Sequence, residues 1–490
     1  MKKLSISEIF FGYSDIVFPD NLDYSKSVEP RVTLSDDNKD VVLFLTDKVS
    51  GETDTVDLSG INSMPYAVVI SKNRKIFPTS AHVIRVADVR AALSYSLSNF
   101  YEINHNKLKF IGVTGTNGKT TTATLIYEIL RRSGYNVGFI GTGKILSNDN
   151  LLSGQTYSMT TPDATVLYPS IAKMQEVGCE YIVMEVSSHG IALGRIAPIK
   201  FEYAIFTNLD SDHLDFHKSR EDYFSVKLKL FESCKKGLFN LDDDYVKKAY
   251  DSVKCQKSSF AVLNTADAEA TGICEQGLSG TSFFYREKDT IFKVRSNLIG
   301  RFNVYNALAS LKCVIDLGLK PCIAKKGIES IEGVDGRMET LKNDIMAIID
   351  YAHTPAAFEN VLRTIKSSID EQSKLIVVFG CGGDRDPTKR PVFGYFAELL
   401  ADSIIITEDN SRGESFTDIA RCITAGIKNK HFDVIPDRES AIRYAFKIAK
   451  RGDTVAIIGK GHEKYKICGS EYLPFDEREI ILDCLKKRTI

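Results

Sequence analysis

Three observations predict an α/β protein of about three domains: a length of 490 residues, short buried strands alternating with helices from Leu108 onward, and a glycine-rich turn between one such strand and its helix. At roughly 150 residues per domain, a single small binding module is excluded.

The first hundred residues carry short strand-like runs, Val41-Val42-Leu43-Phe44-Leu45 and Ala67-Val68-Val69-Ile70, between polar turns. A helical pattern over 86–100 closes this segment, and Asn104-His105-Asn106-Lys107 reads as a linker. Next, 110–114 is a buried-strand run, and 121–132 is an apolar-periodic helix ended by Gly134. Further buried strands are expected at 181–185, 203–208, 345–350, 375–380, 403–407 and 454–459, the pattern of parallel sheets. Gly333 and Gly336 interrupt the series before a fresh one begins. The expected domains are therefore 1–107, 108–335 and 336–490.

Composition narrows the class. Lys and Arg total 63 against 64 Asp and Glu, a net charge of −1, without the basic footprint of a general nucleic-acid binder. A hydrophobic share of 43% with 26% charged residues is that of a folded globular chain. The ten cysteines are scattered and never form Cys-x-x-Cys, so they are expected as reduced thiols. Ser5, Ser7 and Glu8 interrupt what would be a signal-peptide core, and no apolar run approaches the roughly 20 residues needed to cross a bilayer. A cytoplasmic protein without membrane insertion is expected, with small molecules as its partners and a monomeric state.

The turn Gly115-Thr116-Asn117-Gly118-Lys119-Thr120 follows a strand and opens a helix, where backbone N–H groups can cradle phosphate oxygens. Lys119 would lie against the β- and γ-phosphates, and the Thr120 hydroxyl would ligate Mg²⁺. The strict Walker spacing is not met, because Val113 stands where its first glycine belongs and Gly112 comes one position early. A mere glycine turn is the alternative, disfavoured by the strand, Gly-Lys-Thr and helix together.

Glu185 closes a strand run, where a second Mg²⁺ contact is expected because ligands gather at the carboxyl ends of such strands. The segment from Asn208 to His217 holds two histidines and three aspartates. Alone, His213 and His217 could be a zinc pair or histidines satisfied at a helix start. The missing cysteine ligands and the upstream phosphate loop favour Mg²⁺ chemistry instead.

These residues together resemble a known family, the ATP-dependent Mur ligases of bacterial peptidoglycan synthesis, and within it the branch that adds the third amino acid. The matching segments are 115–122, Thr160-Thr161-Pro162-Asp163, Glu185-Val186-Ser187-Ser188-His189-Gly190, 207–217 and 300–309. They continue with Gly336-Arg337-Met338-Glu339, Asp350-Tyr351-Ala352-His353-Thr354-Pro355, 380–391, 409–412, 459–463 and 475–479. The resemblance implies a small mixed α/β N-terminal domain for the UDP end of the substrate. It implies a central P-loop ATPase-type α/β domain and a C-terminal Rossmann-like α/β domain for the amino acid.

The implied reaction has ATP phosphorylate the free carboxylate of UDP-N-acetylmuramoyl-L-alanyl-D-glutamate, after which an amine attacks and phosphate departs. Both anionic reactants must be brought together, which calls for Lys119 and Mg²⁺. By resemblance, Gly115, Thr116, Asn117, Gly118, Lys119, Thr120 and Thr121 bind ATP, with Asn303, Asn306, Arg337, Asp350 and His353 toward adenine and ribose. Thr120 and Glu185 are implied for one Mg²⁺ and His213 for a second. Lys227 matches the family's carbamylated lysine, whose carbamate offers a metal the anionic oxygens that an ammonium lacks. Without the family, Lys227 reads as a solvated helix lysine.

Thr160, Thr161, Ser187 and Arg195 are implied to hold the UDP-muramoyl-dipeptide. Relatives that add meso-diaminopimelate carry Asp-Asn-Pro-Arg, and this chain has Asp409-Asn410-Ser411-Arg412. A guanidinium can pair bidentately with the distal carboxylate that lysine lacks. Arg385, Gly459 and Glu463 match the other recognition positions, Glu463 suiting the distal ammonium. Without them Arg412 reads as a surface charge. One departure stands out: Leu34-Ser35-Asp36-Asp37 does not reproduce the family's uridine-side pattern. The alternative expectation is therefore a related ligase using L-lysine or a different acid and amine.

Overall fold

The computed structural model describes residues 3–33, 40–45, 55–57, 64–77, 80–152, 159–210, 212–213, 216–469 and 471–488. The divergent stretch at 34–37 lies outside them.

Three large sheets organise the described residues. The N-terminal one has six strands, four of them parallel (Ser27–Arg31, Val41–Phe44, Ala67–Ser71, His82–Val86), with Leu4–Ser5 and Ile16–Val17 antiparallel at its edges. The helix expected over 86–100 runs instead from Val89 to Phe100. Val86 is taken by strand pairing with Ile16, and the Asp88 carboxylate caps the helix by accepting from Arg90 N at 2.9 Å and Ala91 N at 3.0 Å.

The central sheet has eleven strands. Its phosphate-loop strand, Lys109–Thr114, lies between the parallel strands Tyr181–Glu185 and Phe201–Phe206. The register sets Glu185 beside Val113 and Phe206 beside Thr114, so three strand ends open onto the glycine turn. Parallel strands need both faces covered. One face shares a core with the N-terminal sheet, running from Ile6, Val42 and Leu97 to Phe110, Ile182 and Phe206. The other packs Ile111, Val113 and Val183 against the helices Lys119–Arg132 and Arg301–Asp316.

The third sheet has six strands, five of them parallel in the order Met346–Asp350, Thr454–Ile458, Leu375–Phe379, Ser403–Ile406, Phe432–Val434, with Glu339–Lys342 antiparallel at one edge. The predicted strands here end one residue earlier where Gly380, Thr407 and Gly459 turn the chain. Because Asp350 and Phe379 both pair with Ile458, the loops after these strands emerge at one edge of the sheet. That edge carries the family-like segments and faces the glycine turn. No helix among the described residues is long and apolar enough to cross a membrane.

Candidate active site

The helix after the phosphate loop starts at Lys119, two residues earlier than predicted, because Gly118 caps it in the left-handed region at φ +83°. Both loop glycines are required by contact. A Cβ on Gly115 would lie 1.9 Å from Thr207 Oγ1, and one on Gly118 would lie 2.5 Å from Asn306 Oδ1. The loop is pinned from the neighbouring strand end: Asn117 N donates to Asn208 Oδ1 at 2.9 Å, and Thr207 Oγ1 donates to Asn117 O at 2.6 Å. Thr116 Oγ1 accepts from Asp210 N at 2.9 Å. Lys119 Nζ arcs back over the turn, donating to the carbonyls of Gly115 at 3.0 Å and Thr116 at 2.7 Å. Burial lowers its pKa and Arg337 adds to that, while Glu185 and Asp212 oppose it. Thr121 is buried behind this turn in the helix's first turn.

Glu185 is fully buried, yet both of its oxygens are satisfied. Thr120 Oγ1 donates to Oε2 at 2.8 Å and Thr142 N donates to Oε1 at 2.8 Å. Arg337, from the C-terminal segment, donates to Thr120 Oγ1 at 3.0 Å. Hydroxyl and carboxylate oxygens are the hard donors that Mg²⁺ takes, and these two side chains already meet. Among the described residues no group of three or more His, Cys, Asp or Glu could hold a metal ion by itself. A two-residue oxygen set suits an ion that completes its shell with water and nucleotide phosphates.

Lys227 is 1% exposed, on the helix Arg220–Glu232. Its Nζ donates to Gly115 O at 3.0 Å and stands 4.5 Å over the Tyr223 ring. Burial pushes its pKa well below the ordinary lysine value, Lys119 adds to this and Asp212 opposes it. A desolvated lysine of this kind has a neutral amine accessible, which carbamate formation requires. His213, at φ +54°, is pushed down to about 3 by burial, with neighbouring His189 and His353 adding, so its imidazole is neutral. His217 turns to structural work: its Nε2 lies 2.9 Å from Ser188 Oγ and its Nδ1 3.6 Å from Asp222.

On the substrate side, Thr142 Oγ1 donates to Thr160 Oγ1 at 3.2 Å. Thr161 is fully buried; its hydroxyl donates to Glu185 O at 2.9 Å and accepts from Ser187 N at 2.9 Å. Arg195 donates to Thr161 O at 2.7 Å and pairs with Asp163 at 2.7 Å, beside the helix Val89–Phe100, from which Ser94 donates to Arg195 O at 3.3 Å. Thr161 and Arg195 thus brace this wall, while Thr160 and Ser187 face the cavity.

In the C-terminal segment, Arg412 donates to Gly383 O at 2.9 Å from a left-handed backbone at φ +51°. Asn410 Nδ2 donates to Glu463 Oε2 at 2.9 Å, and Ser411 Oγ donates to Glu408 Oε1 at 2.8 Å. Gly459 is needed beside Asp409, since a Cβ there would come 2.7 Å from Asp409 Oδ2. Burial would raise the Asp409 pKa, but Lys460 and Arg438 hold it low, so it is a carboxylate.

A single cavity of about 280 Å³ is lined by Lys119, Thr120, Glu185, His213 and Lys227 on one wall and by Arg385, Asp409, Asn410, Arg412, Gly459 and Glu463 on the other. A neighbouring cavity of about 420 Å³ is lined by Asn117, Gly118, Thr121, Asn306, Arg337, Asp350 and His353. Asp350 there accepts from Met338 N and Ala352 N, each at 2.7 Å. Asn303 does not line it; buried behind Asn306, it accepts from Asn306 Nδ2 at 2.8 Å and so orients that side chain.

Sequence comparison matches residues 113–314 to the Mur ligase middle domain and 336–461 to the Mur ligase glutamate ligase domain. The chain belongs to the Mur ligase family. A UDP-N-acetylmuramoyl-L-alanyl-D-glutamate--2,6-diaminopimelate ligase of Clostridium acetobutylicum is 38% identical over 424 residues, 86% of each chain. Another of that description, from Clostridioides difficile, is 41% identical over 416 residues, covering 82% of this chain and 84% of the relative. A solved structure of a ligase of that description matches all of both chains with a TM-score of 0.66 at 26% identity. The architecture of three α/β domains is thus that of Mur ligases.

Several residues in this Mur ligase site escaped the sequence reading. Asp212 sits between the two walls, 3.1 Å from Lys389 Nζ, 3.8 Å from His353 Nε2 and 3.4 Å from His213 Nε2. Burial alone would raise its pKa, but these cations and rings hold it far below the usual carboxylate range. Asp212 and Lys389 lie inside the family-like segments 207–217 and 380–391, which was the available signal. Thr142 lies in a hairpin turn that carries no motif.

Proposed function

We propose that this chain is the ATP-dependent ligase that joins meso-diaminopimelate to UDP-N-acetylmuramoyl-L-alanyl-D-glutamate. The observation that carries the reading is the single cavity that sets the phosphate loop and Lys227 opposite Arg385, Arg412 and Glu463. In this reading residues 1–107 serve the UDP end, 108–335 bind ATP and 336–490 select the amino acid.

The loop amides and Lys119 would cradle the β- and γ-phosphates, and the cavity behind Asn306 and Asp350 would take the nucleoside. Thr120, Glu185, the neutral His213 and a carbamylated Lys227 would hold Mg²⁺, which when bound offsets the repulsion between carboxylate and triphosphate. Thr160 and Ser187 would orient the substrate carboxylate in line with the γ-phosphate. After phosphoryl transfer, the amine of the diamino acid attacks the acyl carbon and phosphate leaves. Arg412 and Arg385 would meet the distal carboxylate and Glu463 the distal ammonium, fixing which amine points inward. The Asp212–Lys389 contact would hold the two walls together so that water is kept from the acyl phosphate.

The test is phosphate release with ATP and Mg²⁺. It should require both the UDP-muramoyl-dipeptide and meso-diaminopimelate, and release independent of either would count against the proposal.

A further inference from the structure

Lys460 is completely buried, an unusual place for an ammonium, and it lies beneath the recognition residues, outside the cavity lining. Its Nζ donates to Asn410 Oδ1 at 2.9 Å and to Glu463 Oε2 at 3.0 Å, and lies 3.8 Å from Asp409 Oδ1. Asn410 closes the network: its Oδ1 also accepts from Ile467 N at 2.9 Å, and its Nδ2 donates to the same Glu463 Oε2 at 2.9 Å. The backbone around Lys460 is equally fixed. Gly459 and Gly461 have φ +124° and +56°, and a Cβ on Gly461 would come 2.7 Å from Tyr351 Cβ.

The two oxygens of Glu463 are therefore treated differently. Oε2 takes two strong donors, whereas Oε1, among the described residues, meets only the long contacts of Tyr351 OH at 3.4 Å and Tyr465 OH at 3.5 Å. An oxygen held loosely by two hydroxyls, on a carboxylate whose other oxygen is anchored, is preorganised for a cation.

We propose that Lys460 is a positioning residue for amino-acid selection: by anchoring Glu463 Oε2 together with Asn410, it presents Glu463 Oε1 to the distal ammonium of the diamino acid. This inference rests on the functional reading above. Lys460 itself does not touch substrate. It acts through Glu463, and its charge also offsets the half-buried carboxylate of Asp409, 3.8 Å away.

The experiment compares wild type, Lys460→Met, Glu463→Gln and the double variant in full-length protein. The substrates are meso-diaminopimelate and 2-aminopimelate, which keeps the distal carboxylate but lacks the distal ammonium. Lys460→Met should raise the KM for meso-diaminopimelate about 10- to 100-fold, the loss expected for a charged hydrogen bond, with the KM for ATP within about twofold of wild type. It should also erase the preference for meso-diaminopimelate over 2-aminopimelate. In the Glu463→Gln background the Lys460 substitution should add little, because the two act as a unit. Additive losses, or a preference that survives in Lys460→Met, overturn the inference. Should Lys460→Met fail to fold, the double variant, which removes the buried ammonium together with the carboxylate charge it faces, supplies the comparison with Glu463→Gln. A wild-type enzyme that does not use meso-diaminopimelate overturns the functional reading and this inference with it, an outcome separable from a failure of Lys460 alone.

Discussion

Thr120 Oγ1 donates a 2.8 Å hydrogen bond to Glu185 Oε2, joining the residue after the loop lysine to the carboxylate that closes the neighbouring strand. Their meeting follows from register, since Glu185 pairs with Val113 at the level where the glycine turn begins. Thr120→Ala and Glu185→Gln should each raise the Mg²⁺ concentration needed for half-maximal activity by at least about tenfold, the scale at which perturbed metal sites lose affinity. Mg²⁺ titration of phosphate release at saturating ATP checks this. An unchanged Mg²⁺ dependence would remove both residues from the proposed metal site.

Asp212 and Lys389 belong to opposite walls of the cavity and meet at 3.1 Å. Removing the cation with Lys389→Met leaves Asp212 buried with less compensation and loosens the closure. The expected consequence is uncoupling: phosphate released per amide formed should rise above one, because an acyl phosphate open to water hydrolyses. Phosphate assay and product quantification in the same reaction give the ratio. A ratio of one with lower rate would mean that Lys389 serves binding alone.

His462 packs 5.2 Å from Tyr351, and burial, with Arg337 and Lys144 adding and Asp335 opposing, pushes its pKa from 6.5 down to about 3. The folded pKa is depressed, so the unfolded chain binds more protons below pH 6.5. Stability from this residue is complete above that pH and is lost as pH falls toward 3. The melting temperature should therefore fall between pH 7.5 and 5.5, and His462→Leu should make that fall shallower. His213, depressed in the same direction, keeps part of the slope in the variant. Thermal melts of both proteins at the two pH values decide it, and equal slopes would contradict the assignment.

Much of this molecule was legible in its sequence, for identifiable reasons. Buried parallel strands are continuous apolar runs, so 181–185 and 375–380 announce themselves, and Gly-Lys-Thr between strand and helix marks the phosphate loop. What sequence reasoning placed badly depends on long-range contact. The helix predicted from 86 starts at Val89 because a distant strand claims Val86. Asn303 reads as a ligand residue but stands behind Asn306, a difference set by one helical turn. Without the family resemblance, Lys227 would read as solvated, because its burial comes from Tyr223 and the Gly115 carbonyl, more than a hundred residues away in the latter case. Lys460 stands between two glycines, and nothing in that pattern states that its ammonium faces inward.

The most direct test of the central claim is a competition: equal concentrations of meso-diaminopimelate and L-lysine with ATP, Mg²⁺ and the UDP-muramoyl-dipeptide, read by product mass. The wild-type enzyme should give the diaminopimelate product almost alone, and Arg412→Ala should lose about 10- to 100-fold in kcat/KM for diaminopimelate, the loss expected for one charged hydrogen-bonding partner. A lysine product in excess, or no amide with either amine, would contradict the account.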